Sequence, residues 1–339
     1  MRRWSALIAP SVISACDGFG RGRAPIRLGP LVTLGASTGD GAIATTPTVS
    51  ALHPNGFRVV IPAHSAIGAL PLVYTERGNY RESLRGNGTA AGSFDGAMFT
   101  RFGPGDSIHI FDNSGRVLLF SPQLEYVRSI DLADAPTDAL VLPDARIVAA
   151  ARDGALRVID SVGAVVRVIS TASGVLPSGE LLIPGARGTF WTSSVVGSWQ
   201  LQHWDSSGTR LGTMTFKPEW LAASASDRDT KAPHSRIVAV WFDGAGLIWV
   251  VAQVPDRKWR DGTATSAGEQ VIADDDKYYD SVVEVREGKT GVVLATTRFD
   301  KYFRSTAGPG VLVHVIHTGA GWQQAELSRI VWDAVTSRP

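Results

Sequence analysis

One stretch of the sequence, Ala97–Leu132, decides the fold, and it reads AMFTRF-GPGD-SIHIFD-NSG-RVLLFS-PQLE-YVRSIDL. Four runs rich in aliphatic and aromatic residues alternate with three short segments of Gly, Pro, Asp, Asn and Ser, which favour turns. The middle turn, Asp112–Gly115, carries Asn and Gly, which tolerate the positive φ of a tight hairpin. The stretch therefore predicts four antiparallel strands: Ala97–Phe102, Ser107–Asp112, Arg116–Ser121 and Tyr126–Leu132.

The same four-strand pattern recurs along the chain. A turn segment followed by a run rich in Val and Ile appears six times. A spacing of roughly 40–50 residues between such units is typical of the blades of a β-propeller. The six predicted units are Thr48–Leu84, Ala97–Leu132, Ala139–Ser170, Glu180–Phe216, Arg236–Phe299 and Tyr302–Trp332.

The last unit is one strand short, and a strand-like segment near the start of the chain has no partner. The sixth unit offers only Tyr302–Thr306, Val311–His317 and Ala325–Trp332, whereas Ile26–Leu34 matches the outer strands of the other units. Pairing this segment with the last unit would close the ring and remove an open sheet edge. We therefore predict an all-β fold, a six-bladed β-propeller over residues 31–335 that its N-terminal strand closes.

The repeated phrases also carry a family resemblance. Asp112–Val117 (DNSGRV), and Leu34–Gly35 followed by Gly41, resemble segments of bacterial six-bladed propellers of the NHL-like superfamily. The resemblance extends over nearly the whole chain after the N-terminal segment. It implies a six-bladed ring, and some six-bladed relatives are lactonases or other metal-dependent hydrolases that hold a metal in the central channel.

The first sixteen residues resemble a bacterial lipoprotein signal. Met1–Arg3 is basic, Trp4–Ile13 is mostly apolar but too short to span a bilayer, and Ile13-Ser14-Ala15-Cys16 is similar to a lipobox. This pattern predicts a signal peptide over 1–15, a lipidated Cys16, a Gly/Pro/Arg-rich tether over 16–30 and an address in the cell envelope. An ordinary secretory signal, or an irregular N-terminus with a free cysteine, is the alternative.

Composition and charge exclude several classes of function. The net charge is +1 and no long basic block exists, which argues against a nucleic-acid partner. The single cysteine precludes disulfides within the chain. No His-Glu-x-x-His motif or P-loop is present, and we assign no catalytic residue from the sequence.

The long connections predict which face of the ring binds a ligand. In an antiparallel blade, the second-to-third turns and the blade-to-blade connections share one rim, and all the long loops fall there. The longest, 256–280, has seven acidic and four basic residues among its 25 positions. We expect Trp259, Tyr278 and Tyr279 to contact a partner, and Arg257 and Arg260 to face anionic groups. A solvated insertion is the alternative interpretation.

A single arginine and a run of three aspartates complete the candidate residues. Arg101 is the charged exception on the mostly apolar innermost strands, which makes it a candidate for ligand binding in the channel. Asp274, Asp275 and Asp276 could contribute to a Ca²⁺ site, although they lack the spacing of a dedicated loop. No other cofactor is expected.

These observations favour a non-enzymatic, lipid-anchored, extracytoplasmic propeller that binds a protein, peptide or glycan through its loop-rich face. The alternative is a metal-dependent, lactonase-like hydrolase with its site in the central channel. Three or more converging Asp, Glu or Asn side chains in that channel would favour the enzyme.

Overall fold

The computed structural model describes residues 25–36, 39–62, 70–84, 93–170, 180–194, 199–221, 235–257, 278–318 and 321–333. Its strands form six four-stranded antiparallel sheets, which confirms the six-bladed β-propeller. Within the described ranges, no helix has the length and apolar character needed to cross a bilayer.

The strands of the first three blades match the predicted units closely. Blade one contains β2 (Pro47–Val49), β3 (Phe57–Pro62), β4 (Leu72–Thr75) and β5 (Tyr80–Ser83). Blade two contains β6 (Ala97–Phe102), β7 (Ile108–Asp112), β8 (Arg116–Phe120) and β9 (Tyr126–Asp131). Blade three contains β10 (Asp138–Val141), β11 (Ile147–Ala150), β12 (Ala155–Ile159) and β13 (Val165–Ser170).

The remaining blades include the longest strands and the closing strand. Blade four contains β14 (Glu180–Pro184), β15 (Phe190–Ser194), β16 (Trp199–Trp204) and β17 (Arg210–Phe216). Blade five contains β18 (Arg236–Phe242), β19 (Leu247–Pro255), β20 (Tyr279–Glu287) and β21 (Val293–Phe299). Blade six contains β22 (Ser305–Thr306), β23 (Val311–His317), β24 (Gln323–Val331) and, from the start of the chain, β1 (Arg27–Leu34).

An aspartate repeatedly stabilises the tight turns. In the β7–β8 turn, Oδ1 of the buried Asp112 accepts hydrogen bonds from the backbone N–H groups of Ser114 and Arg116, at 3.0 and 2.9 Å. Gly115 adopts φ 81°, which costs a glycine little. Asp205 and Asp243 accept the corresponding backbone bonds in blades four and five. The recurring turns with Asp and Gly are therefore the local signal that made the blades predictable from the sequence.

The N-terminal strand closes the ring as predicted. β1 pairs antiparallel with β24, from Arg27 opposite Val331 to Leu34 opposite Ala325. Its first four residues, 27–30, fall within the predicted tether, because their backbone already pairs with β24. Ile26 is buried, and its backbone N–H donates to Thr297 Oγ1 of blade five at 3.1 Å. The closing segment therefore contacts blade five as well as blade six.

Six buried apolar clusters hold the ring together, one at each junction between neighbouring blades. Trp199, Trp204, Trp241 and Trp249 are buried in these clusters, so these tryptophans serve sheet packing. Because each blade buries both of its faces, the hydrophobic effect favours the complete ring over any part of it.

Candidate functional site

The innermost strands surround a pocket in the central channel. Its volume is about 550 Å³, within the range of small-ligand pockets. Arg152 in the β11–β12 turn belongs to its lining, so the pocket reaches the loop-rich rim. The lining is more polar than the sequence indicated, and its polar members are Thr48, Ser50, Thr100, Arg101, Thr137, Asp138, Arg152, Ser305 and Thr306.

Arg101 lies in this channel, as predicted, but its guanidinium is held by neighbouring groups. Nε donates to Ala139 O at 2.8 Å, one terminal nitrogen donates to Thr100 O at 2.9 Å, and the other forms an ion pair with Asp138. The guanidinium also lies 4.9 Å from the ring centroid of Phe99. These contacts fix the position of a partly exposed positive charge.

Asp138 links three blades. It is not among the predicted site residues, because the predicted strand starts one residue later, at Ala139. One carboxylate oxygen accepts from Arg101 of blade two and from the backbone N–H of Ala139 at 2.8 Å. The other accepts from Leu182 N of blade four at 2.9 Å. Both oxygens are therefore engaged within the protein.

Two hydroxyl groups near the channel have unused hydrogen-bonding capacity. Oγ1 of Thr100 and Oγ of Ser305 are buried and have no hydrogen-bond partner among the described residues. A buried polar atom without a partner costs free energy. Arg152, which is exposed at the mouth, and Arg101 together give the pocket two cationic lining residues able to orient an acidic ligand.

The predicted contact residues of the long insertion are only partly described. Arg257 is exposed, whereas Tyr278 and Tyr279 are half-buried. Tyr279 packs on the blade itself, because its ring lies 5.8 Å from that of Tyr302 and 5.5 Å from the guanidinium of Arg236. Its packing gives it a structural role in addition to any contact with a partner.

The remaining predicted site residues lie outside the described residues. They are the lipidation site Cys16, the contact residues Trp259 and Arg260, and the acidic positions Asp274, Asp275 and Asp276.

A second polar cluster lies at the loop-rich end of blade five, and the sequence analysis did not predict it. We call it the blade-five carboxylate cluster: Asp256, Asp280 and Asp300 each place a carboxylate oxygen within 4.8 Å of the other two. Arg298 lies beside them and donates Nε to Oδ2 of Asp280 at 2.5 Å. The register of β19, β20 and β21 across their two hairpins is the signal that could have predicted the cluster.

One buried histidine lies outside both clusters. Nε2 of His109, on β7, lies 3.1 Å from Ser107 Oγ. Burial, with a smaller contribution from Arg128, lowers the pKa of His109 to about 4, so the ring is neutral at physiological pH. It therefore acts as a core residue, as expected for an isolated histidine.

Comparisons with known proteins support the fold alone. No family model matches the chain, and no curated protein matches its sequence. A crystal structure named "Putative exported protein" from Bacteroides fragilis is similar with a TM-score of 0.61 and 10% identity, covering 93% of this chain and 98% of that one. A structure of BBS1N in complex with ARL6DN gives a TM-score of 0.48 and 12% identity, covering 87% and 79% respectively.

Proposed function

We propose that this chain is a binding module that recognises an acidic group of a protein, peptide or glycan at the loop-rich mouth of its channel. The observation that carries the proposal is that two arginines, Arg101 and Arg152, line the same channel pocket. Guanidinium groups bind carboxylates with matched geometry, and Arg101 is already positioned by Asp138.

The alternative, a metal-dependent hydrolase in the channel, is less well supported. Among the described residues, Asp138 is the one carboxylate that lines the pocket. Its two oxygens already accept from Arg101, Ala139 and Leu182. A catalytic metal needs several ligands and an open position, so this lining favours binding over metal-assisted hydrolysis.

We also propose that the protein is anchored in the cell envelope and that it is related to NHL-like propellers. A lipid on Cys16 would hold the protein at a membrane surface of the cell envelope, with residues 17–26 between the lipid and β1. The NHL-like relationship rests on the repeated Asp/Asn/Gly turns and on the six-bladed ring. The lipobox-like sequence is what supports the extracytoplasmic location.

The test compares binding to acidic and neutral probes. An array of peptides and oligosaccharides, half of them bearing carboxylates, is probed with the folded protein and with Arg152→Ala. We expect selective binding to acidic probes, weakened about tenfold or more by the substitution because one charge-assisted contact is lost. Arg77→Ala, an exposed arginine in the β4–β5 turn on the opposite rim, is the matched control.

Two results would contradict the proposal. The first is equal binding of acidic and neutral probes, or equal loss in the two arginine variants. The second is hydrolysis of a lactone or ester by the purified protein that a chelator abolishes, which would support the hydrolase instead. Mass spectrometry of the N-terminal peptide from a bacterial membrane fraction tests the lipid on Cys16 separately.

A further inference from the structure

The blade-five carboxylate cluster arises from the register of three neighbouring strands. Asp280 of β20 is opposite Val254 of β19, and Asp256 lies two residues beyond Val254. On the other side, Ser281 is opposite Phe299 of β21, so Asp300 comes next to Asp280. Residues directly opposite each other, or two apart along a strand, share one face of a sheet. All three carboxylates therefore lie on one face of blade five.

That face is the one that packs against blade four. Ile248 and Val250 share it, and both belong to the buried cluster between blades four and five. The carboxylates lie farther along the same face, where the strands reach the loop-rich rim. Two of them, Asp256 and Asp280, flank the long connection between β19 and β20.

The carboxylate of Asp280 is only half satisfied. Its side chain is buried, with the residue 3% exposed, and Oδ2 accepts from Arg298. Oδ1 is also buried, and it has no hydrogen-bond partner within the part of the chain that the structure describes. Leaving a charged oxygen buried and unpaired is costly. Asp256 and Asp300 make further contacts, so the inference rests on the unpaired oxygen of Asp280 and on the proximity of the three carboxylate groups.

Arg298 does not satisfy the unpaired Oδ1 of Asp280. Its Nε is directed to Oδ2 of Asp280, and a terminal nitrogen donates to the carbonyl of Pro255. The three carboxylates lie within 4.8 Å of one another, and like charges brought this close repel one another. A cation bound among the three carboxylates would satisfy Oδ1 and relieve the repulsion.

We propose that Asp256, Asp280 and Asp300 bind one Ca²⁺ ion. Ca²⁺ takes six to eight oxygen ligands at about 2.3–2.6 Å, so oxygens that share one ion lie no more than about 5 Å apart, a condition that the three carboxylates meet. The cluster contains neither His nor Cys, which argues against the softer metals. Three carboxylates also exceed what a Mg²⁺ site usually uses.

The ion would stabilise one corner of the ring. Asp256 directly follows β19, Asp280 lies in β20, and Asp300 directly follows β21, so one ion would link three strands of blade five at the loop-rich rim. An ion that binds the folded state alone raises its stability with ion concentration. This effect does not require that the protein bind an acidic ligand in the channel.

The test measures binding of the metal itself. The full-length protein is treated with a chelator, dialysed and titrated with CaCl₂ by calorimetry, and Tb³⁺ luminescence excited through nearby tyrosines reports occupancy of the same site. We expect one Ca²⁺ per chain and a higher Tm in its presence. Asp300→Asn, at an exposed position, and Asp280→Asn should each weaken Ca²⁺ binding at least tenfold. Asp40→Asn, an exposed aspartate elsewhere on the loop-rich rim, should bind as the unmodified protein does.

Several results would overturn the proposal. Folded, chelator-treated protein that shows no saturable Ca²⁺ binding would do so. So would Asp300→Asn binding as tightly as Asp40→Asn, or tighter binding of Mg²⁺ than of Ca²⁺. If Asp280→Asn does not fold, as judged by circular dichroism, Asp300→Asn alone decides. Failure of this test leaves the acidic-ligand proposal intact, because that proposal is tested separately, by the binding of acidic probes to the protein and to its Arg152→Ala variant.

Discussion

The closing strand offers the sharpest test of how the ring is held together. Ile26, just before β1, is 2% exposed and packs in the apolar cluster between blades five and six, whereas Leu34, at the end of β1, is 0% exposed in the cluster between blades six and one. Truncating either side chain to Ala removes buried methyl groups and leaves a cavity. In well-packed cores this costs about 2–5 kcal/mol for each Ile or Leu.

The two costs should add. Eight residues separate the positions, which is about 26 Å along a strand at about 3.3 Å per residue, and the side chains belong to different clusters. The double variant Ile26→Ala/Leu34→Ala should therefore lose about 4–10 kcal/mol. That loss is comparable with the whole stability of an ordinary domain, about 5–15 kcal/mol. We expect the double variant to be largely unfolded at 25 °C.

Urea denaturation followed by tryptophan fluorescence measures these losses. Leu31→Ala is the matched control, since Leu31 lies on the same strand but is 36% exposed, and we expect a change within about 0.5 kcal/mol. If the two buried substitutions cost no more than Leu31→Ala, β1 does not contribute to the closure of the ring and the reasoning is wrong.

Two further predictions follow from the buried histidine and the long insertion. Because the pKa of His109 is about 4 in the fold and near 6.5 when unfolded, the unfolded state binds the extra proton, and stability should fall by up to about 3 kcal/mol as pH drops from about 6.5 to about 4. His109→Gln should flatten this slope in urea midpoints measured across that range, and an unchanged slope would contradict the assignment. Replacing residues 258–277 by a short Gly/Ser linker should abolish capture of acidic probes while leaving the Tm unchanged, and undiminished capture would exclude the insertion from binding.

Local chemistry made the blades predictable from the sequence. In the stretch Ala97–Leu132, the predicted strand limits differ from those of β6, β7, β8 and β9 by at most one residue. The reason is that Asp112 and Gly115 fix the hairpin through backbone hydrogen bonds within five residues of chain. Closure was also predictable, because strands must pair and only one segment and one blade were left incomplete.

The candidate sites depended on distances that the sequence does not contain. Arg101 could be named because it was an isolated charge among apolar residues, but its partner Asp138 is 37 residues away and comes from another blade. Tyr279 was predicted as a contact residue, yet its ring packs against Tyr302. Such pairings are set by how neighbouring blades approach each other, which short-range patterns do not report.

The sequence by itself thus determined the number of blades, the strands and the means of closure, since turn residues and alternating burial act within a few positions of the chain. Only the tertiary structure brought Asp256, Asp280 and Asp300 together and left one oxygen of Asp280 without a partner among the residues it describes. The register of two long hairpins decides which side chains meet at the end of a sheet. A shift of one residue in either hairpin would move a carboxylate to the opposite face.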